Sequence, residues 1–144
     1  MKSKDIIAKL PYVDPFLFVD EIDEIQNDYI VGHYTFKEDA FFYKGHFKDH
    51  PVTPGVILTE CMAQIGLVSL GIYKLQDQDM STLQVAFTSA DVAFLKPVYP
   101  SQKVTVISKE TYFRFNKLKC DVVLKDQHNE VCAKGSLAGI FKIT

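Results

Sequence analysis

The sequence predicts an α+β fold in which a curved antiparallel sheet of about six strands wraps around one long buried helix. Two observations favour this fold. Residues 56–73 are apolar on nearly every side of the predicted helix, and helices of that kind are buried. The chain around this stretch reads as short strands separated by turns. One buried helix and a set of strands form a layered α+β domain, although this reasoning alone leaves several strand orders open.

The shorter elements are predicted from side-chain periodicity and from turn residues. Ser3 is the expected N-cap of a first helix that Pro11 ends, and Thr53 is the expected N-cap of the long helix, with Pro54 in its first turn. Residues 103–114 alternate in the manner of a strand with one buried face. The full set of shorter elements is a helix at 3–10 and strands at 16–25, 29–36, 83–95, 103–114, 118–124 and 131–143.

Length and composition are those of an ordinary globular protein. The chain has 144 residues, of which 47% are hydrophobic and 24% charged, and we treat residues 1–144 as a single domain. A net charge of −2 and a pI near 6.1 argue against a nucleic-acid-binding protein, which is usually basic. No apolar segment follows Met1, and Glu60, Gln64 and Lys74 interrupt the long helix, so neither a signal peptide nor a membrane span is expected.

The cysteines indicate the redox compartment. Cys61, Cys120 and Cys132 have no Cys-x-x-Cys spacing and lie among apolar or strand residues. An odd number of such residues predicts free buried thiols and therefore a cytoplasmic protein. A disulfide between Cys120 and Cys132 across a hairpin is the alternative.

The most informative polar residue is Glu60, in the middle of the apolar helix. A carboxylate there is rarely buried without a partner or a chemical role. His46, 14 positions earlier in the preceding loop, is the nearest candidate partner. Between the two, Gly55 and Val56 begin the helix, where unpaired backbone N–H groups and the positive end of the helix dipole favour an anion.

The loop and helix around these residues resemble a known motif. Gly-His-Phe-x-x-His-Pro-Val-x-Pro-Gly-Val at 45–56, followed by Glu-x-Met-Ala-Gln at 60–64, is similar to the active-site signature of the FabZ-type 3-hydroxyacyl-acyl-carrier-protein dehydratases. Leu-Pro at 10–11, Pro-Phe-Leu-Phe-Val-Asp at 15–20 and Phe-Leu-Lys-Pro-Val at 94–98 also match in order and spacing. The resemblance implies the hotdog fold, whose members dimerise through one continuous sheet.

The resemblance also implies roles for individual residues. His46 and Glu60 match the family's catalytic pair, which two subunits complete together, and Gly55 matches the glycine whose N–H binds the thioester carbonyl. Val56, Phe47 and Gln64 are then expected beside the substrate. Dehydration of a 3-hydroxyacyl thioester to a trans-2-enoyl thioester needs a base, an acid and an oxyanion site, and it requires neither a metal nor an organic cofactor.

The implied partner is acyl carrier protein, in fatty-acid biosynthesis or a related polyene or polyketide-type pathway. The implied assembly is a homodimer with shared active sites, and a hexamer built as a trimer of dimers stays open. Because the carrier is acidic and this chain is slightly acidic too, docking needs a local basic patch. The expected patch consists of Lys96, Arg114, Lys117 and Lys119.

Two segments depart from the family pattern and leave acyl chain length open. Leu-Pro-His-Arg in the family reads Leu-Pro-Tyr-Val here at 10–13, and the Pro-Gly after His-Phe reads Lys48-Asp49. The alternative functions are a hotdog thioesterase and a non-catalytic acyl-thioester-binding subunit. Two of the remaining histidines, His33 and His128, are interpreted as structural. His50, ahead of Pro51, is interpreted as a loop-shaping residue, and contact with substrate is the alternative.

Overall fold

The computed structural model describes residues 1–47 and 49–144, in which one antiparallel sheet wraps around one long helix. Helix α1 is Ser3–Lys9, helix α2 is Gly55–Lys74, and a short 3-10 helix spans Phe41–Lys44. The strands are β1 Glu21–Gln26, β2 Tyr29–Thr35, β3 Gln84–Phe94, β4 Lys103–Arg114, β5 Lys117–Lys125 and β6 Val131–Lys142. Their order is β1-β2-β4-β5-β6-β3, and all neighbours run antiparallel. The predicted hotdog fold is confirmed.

The core lies between α2 and the inner face of the sheet. In β4, Val104, Val106 and Ser108 are fully buried, as the alternation predicts. By length and composition α2 could cross a membrane, with a mean hydropathy of 1.7, but 78% of that stretch is buried inside the fold. The hydropathy of α2 is thus accounted for by the core that it forms with the sheet. All three cysteines are buried and free, as expected.

The long helix begins two residues later than the expected N-cap. Thr53 donates its N–H to the Val98 carbonyl at 2.8 Å, and its hydroxyl bonds to that of Tyr43 at 2.6 Å. With both groups used in this way, Thr53 does not cap the helix. Pro54 is the N-cap instead, and its carbonyl accepts the first helical hydrogen bonds.

The first strand is shorter than predicted because its first half binds the helix instead of the sheet. Residues 16–20 precede β1, and the buried side chain of Gln64 pairs with their backbone. Gln64 Oε1 accepts from the Phe18 N–H at 2.8 Å, and Gln64 Nε2 donates to the Phe16 carbonyl at 3.0 Å. A side chain therefore satisfies the backbone groups that a strand would have paired.

Helix α1 also begins differently. Ser3 does not cap it, because the Ser3 hydroxyl accepts from the Ile22 N–H of β1 at 2.8 Å, and Lys2 stands at the N-cap position. This contact attaches α1 to the edge of the sheet.

A π-helical turn, Gln64–Val68, interrupts α2 and was not predicted. Two hydroxyls bond to its carbonyls: Ser69 Oγ donates to that of Gln64 at 2.6 Å, and Ser108 Oγ donates to that of Gly66 at 2.8 Å. A side chain on Gly66 would press against Ser108 and Val122 at 3.0–3.2 Å, so glycine lets α2 approach the sheet here. Turns of this kind are common near functional sites.

Strand β3 is exposed along most of its length. It lies at one edge of the sheet and pairs only with β6. Its inward-facing aromatic residues stay open to solvent, Phe87 at 47% and Phe94 at 51% exposure. These apolar side chains face the inner side of the sheet and are still exposed to solvent, which indicates that a single chain leaves part of its apolar surface uncovered.

Candidate active site

His46 lies in the loop before α2 with one ring nitrogen fixed by the backbone. Its Nδ1 is 2.8 Å from the Val52 carbonyl oxygen. A carbonyl oxygen only accepts hydrogen bonds, so Nδ1 is the donor, and in the neutral ring the lone pair is then on Nε2. The ring packs against Phe47 with centroids 4.3 Å apart. The imidazole is therefore oriented as a base.

A cleft of about 390 Å³ brings His46 to the start of α2. Gly55 lines it together with Phe94 and Leu95. The first hydrogen bonds of α2 are donated by the N–H groups of Ile57 and Leu58 to the Pro54 carbonyl. The N–H groups of Gly55 and Val56 come before these and are not part of the helical hydrogen-bond pattern. The cleft thus combines an oriented base with hydrogen-bond donors suited to an oxyanion.

Glycine at the first position of α2 has a steric reason. A side chain added at Gly55 would meet the ring of Phe94 at 3.1–3.3 Å. The helix start and the end of β3 are therefore packed closely, and a larger residue would displace the aromatic wall of the cleft.

Glu60 is partly buried on a different side of α2. It lies five positions after Gly55, which is roughly 7–8 Å along the helix axis and about 140° around it. Gln64 Nε2 donates to Glu60 Oε1 at 2.9 Å, so one carboxylate oxygen is held by the residue one turn later. The same Gln64 ties residues 16–18 to the helix, which makes it the positioning residue for Glu60.

Tyr12 is the residue near the site whose role was not predicted. Burial, with a smaller contribution from the nearby Glu60 carboxylate, raises the pKa of Tyr12 to about 12. Its side chain lines an enclosed crevice with Ala63 of α2 and Phe87 of β3. The only sequence signal was negative, since position 12 departs from the family pattern.

The structure separates the two residues expected to form the catalytic pair. His46 faces the cleft that Phe94 lines, whereas Glu60 lies beside the crevice that Phe87 and Tyr12 line. Along β3 the seven positions from Phe87 to Phe94 span roughly 22–24 Å. Among the described residues, no hydrogen bond joins His46 to Glu60 within one chain.

The other expected site residues have different surroundings. Phe47 lines the His46 cleft and is 64% exposed, with a positive φ of 60°. Val56 is 76% exposed on the first turn of α2. Lys96 also lines the cleft, but its ammonium is paired with Asp126 at 2.8 Å and with Glu130 at 2.5 Å.

The remaining basic candidates lie on the β4–β5 hairpin. Arg114 stacks over the Tyr112 ring at 4.6 Å, and the turn exposes Phe115 almost completely, at 97%. Lys117 and Lys119 follow on β5, and Lys48, next to the site loop, lies outside the described residues. Among the described side chains, these three hairpin cations make no salt bridge.

The described lining of the cleft includes none of the remaining histidines, although the His50 N–H donates to the carbonyl of Phe47, which does line it. His33 Nδ1 is 2.8 Å from an Asp23 oxygen, and with Glu21 these side chains form a group whose ligand atoms lie within 4.8 Å of one another. The two carboxylates are exposed, and the group is on β1 and β2, at the edge of the sheet opposite β3. His50 is exposed in the loop, and His128 lies in the β5–β6 turn.

A family model and two curated relatives show the family. A family model described as a FabA-like domain matches residues 10–143. A 3-hydroxyacyl-[acyl-carrier-protein] dehydratase FabZ from Geobacter metallireducens is 36% identical over 104 residues, 71% of this chain and 68% of the relative. A protein of the same name from Petrotoga mobilis is 32% identical over 146 residues, 99% of each chain.

Solved structures share the fold at low identity. The dehydratase heterocomplex ApeI:P from Xenorhabdus doucetiae matches with a TM-score of 0.81 at 12% identity, over 96% of this chain and 91% of that one. A hypothetical thioesterase with coenzyme A from Streptococcus pneumoniae TIGR4 matches with a TM-score of 0.68 at 14% identity, over 96% and 95%. Because the family model and the curated relatives agree over most of the sequence, the chain belongs to the FabA-like family and is of the FabZ type.

Proposed function

We propose that this protein is a hydro-lyase that removes water from 3-hydroxyacyl chains carried on acyl carrier protein and yields trans-2-enoyl thioesters, with residues 1–144 acting as one catalytic domain in the cytoplasm. One observation carries the proposal beyond family membership. His46 is fixed through Nδ1 with its Nε2 lone pair available, in the same cleft as the N–H groups at the start of α2.

Gly55, His46 and Glu60 each carry out one part of the reaction. The thioester carbonyl binds the Gly55 N–H, and the helix N-terminus stabilises the negative charge that develops on its oxygen. His46 Nε2 removes a proton from C2, and that C–H electron pair becomes the C2–C3 double bond. Glu60 gives a proton to the C3 hydroxyl, which leaves as water. The elimination is redox-neutral, so the proton taken by His46 and the proton given by Glu60 account for all the atoms and charges that move.

A second copy of the chain is needed to bring the acid to the base. The His46 cleft lies at the Phe94 end of β3, whereas Glu60 lies near Tyr12, which lines the crevice at the Phe87 end. Pairing of two β3 edges about a two-fold axis sets the end of one strand beside the beginning of the other. In such a homodimer, His46 of one copy faces Glu60 of the other, and the exposed aromatic residues of β3 are covered.

The β4–β5 hairpin supports carrier docking better than Lys96 does. Across the sheet, Lys117 pairs with Ile140, which pairs with Ala86 of β3, so this hairpin lies about 10 Å from the beginning of β3. In the homodimer this end of β3 is next to the partner's cleft. Arg114, Lys117 and Lys119 are therefore proposed to bind the acidic carrier, whereas Lys96 is already held by two carboxylates.

The test is direct observation of the enoyl product. Wild type, His46→Ala and Glu60→Gln are incubated with 3-hydroxyacyl thioesters on acyl carrier protein, and the enoyl absorbance is followed with a thiol reagent present. Enoyl product from wild type and loss of at least about a hundredfold in each variant support the proposal. His128→Ala, in the remote β5–β6 turn, is the matched control and should keep full activity.

Two outcomes would reject the dehydratase. Release of free thiol without enoyl product would indicate thioester hydrolysis. Absence of turnover with every chain length, while the folded protein still binds the carrier, would indicate a non-catalytic acyl-thioester-binding subunit.

A further inference from the structure

A small apolar crevice lies between α2, β3 and the N-terminal segment. It is enclosed more than the His46 cleft, and its free volume is about 20 Å³. Five of its six lining residues have hydrocarbon side chains, and the sixth is Tyr12. The lining consists of Tyr12, Ala63, Leu67, Val68, Val85 and Phe87. Most of the crevice surface is apolar, so it can take a hydrocarbon group.

The crevice continues the helix face that carries Glu60. Ala63 follows Glu60 by three positions, and residues three or four apart lie one above the other on a helix. Leu67 and Val68 form the next turn of the same wall. An acyl chain whose C3 hydroxyl meets Glu60 would therefore direct its C4 and later carbons along this face toward the crevice.

The size of the crevice limits what can follow C3. A single water needs about 10–15 Å³ of such volume, so about 20 Å³ holds one methyl- or methylene-sized group. Longer chains would have to displace a wall. A one-methylene change in a hydrophobic pocket alters discrimination roughly 10- to 200-fold, so a wall at this depth is sufficient to select chain length.

The segment that follows Tyr12 is attached to the helix. This segment turns through a hydrogen bond from the Phe16 N–H to the Val13 carbonyl at 2.8 Å. Gln64 then binds the Phe16 carbonyl and the Phe18 N–H. By contrast, Phe87 on the opposite wall is 47% exposed. Among the large residues of the wall, Tyr12 is therefore the one that belongs to a segment held to α2 by hydrogen bonds.

We propose that Tyr12 closes the inner end of the acyl site and restricts this protein to short 3-hydroxyacyl chains, with 3-hydroxybutyryl as the best-fitting length. The inference rests on the proposed dehydratase function and adds the substrate length and the residue that sets it. The ring, and not the hydroxyl, provides the steric limit.

The experiment compares kcat/KM for four-carbon and eight-carbon 3-hydroxyacyl thioesters on acyl carrier protein. Wild type should prefer the four-carbon substrate by at least about tenfold, and Tyr12→Gly should reduce that preference by about tenfold or more. The ratio of the two substrates is the readout, because it does not depend on how much of the variant is folded. Tyr12→Phe keeps the ring and is the matched control, and its ratio should equal that of wild type.

A second variant covers the case in which Tyr12→Gly does not fold. Val85→Ala trims the opposite wall on the exposed edge strand and should shift the ratio in the same direction by a smaller factor. Equal wild-type activity with both lengths, or a ratio unchanged in Tyr12→Gly and Val85→Ala, would overturn the inference and leave the dehydratase intact. Folded wild type that dehydrates neither substrate would overturn both.

Discussion

The two halves of α2 differ in how completely the fold covers them. Every residue from Cys61 to Ile72 is buried, against α1 on one side and the sheet on the other. The first turns are open on one side, where Val56 is 76% exposed and Glu60 only partly buried. The proposed oxyanion donors and the acid both belong to this open half.

This difference separates stability from chemistry along one helix. Outside the crevice residues Ala63, Leu67 and Val68, substitutions in the covered half should lower the free energy of unfolding and leave the activity of the folded fraction unchanged. Substitutions in the open half should affect turnover or assembly with little effect on unfolding. Gln64 lies at the boundary and should affect both.

The largest expected effect on stability is at the covered end of α2. The Lys74 ammonium is 2.6 Å from Glu110 Oε1, donates to the Asn27 carbonyl at 2.8 Å and lies over the Phe113 ring, and its side chain is 6% exposed. Lys74→Met leaves Glu110 without its counter-charge and should cost about 3–5 kcal/mol in urea unfolding.

The double variant is the control for this prediction. Lys74→Met with Glu110→Leu removes the unpaired charge as well and should recover most of the loss. A single-variant cost below about 1 kcal/mol, as for an exposed pair, would show that this half of α2 is not held as described.

The next largest effect is expected at the boundary. Gln64→Leu removes the partners of the Phe16 carbonyl and the Phe18 N–H and frees Glu60, so unfolding should become easier by about 2–4 kcal/mol. The kcat of the folded fraction should fall as well, because the acid loses its positioning bond. Gln78→Leu, an exposed glutamine beyond the helix, should change neither. A fall in stability alone would limit Gln64 to a structural role.

A smaller effect on stability but a complete effect on assembly is expected at Val56. Val56→Lys puts a charge on the open first turn and should convert the proposed dimer into a monomer in analytical ultracentrifugation, with activity lost in parallel. Val31→Lys, on a half-buried valine near the opposite edge of the sheet, is the control and should stay dimeric. A monomeric wild type with full activity would contradict the shared site.

The smallest effect is expected from alkaline pH. Burial, followed by the Asp20 carboxylate, raises the pKa of Tyr34 from 10.0 to about 12. Between these values the unfolded chain has released the proton and the folded chain has not, so this contribution to stability is complete below pH 10 and is lost as pH rises toward 12. Tyr34→Phe should make the decline in urea midpoint shallower over that range. Tyr99→Phe, at the surface, should leave the slope unchanged.

The sequence predicted the elements whose signal is local. The apolar helix, the alternating strand β4 and the free cysteines follow from residue patterns alone, and the fold name came from the motif at 45–64. The errors at Ser3, Thr53 and residues 16–20 have one physical cause. In each case, a side chain or backbone group forms a hydrogen bond with a residue far away in sequence. Rules for capping and pairing that use only neighbouring residues cannot predict such a bond.

For the site, the sequence supplied candidate residues, and their roles stay predictions; their separation in one chain was not contained in the residue pattern. Spacing along the sequence suggested His46 and Glu60 as neighbours, and the family resemblance assigned them to two subunits. Only the structure gives the reason, because five positions of helix turn Glu60 away from the face that Gly55 presents. The proximity of Tyr12 to Glu60 depends on how residues 10–20 lie over α2, which has no local signal.

The most direct test of the shared site is complementation between two inactive variants. His46→Ala and Glu60→Gln are unfolded together, refolded as a mixture and assayed for enoyl product. In a mixed dimer one of the two sites combines the intact His46 of one chain with the intact Glu60 of the other. Random mixing should restore about a quarter of the wild-type activity. A mixture of proven mixed dimers that stays as inactive as its parents would contradict the account.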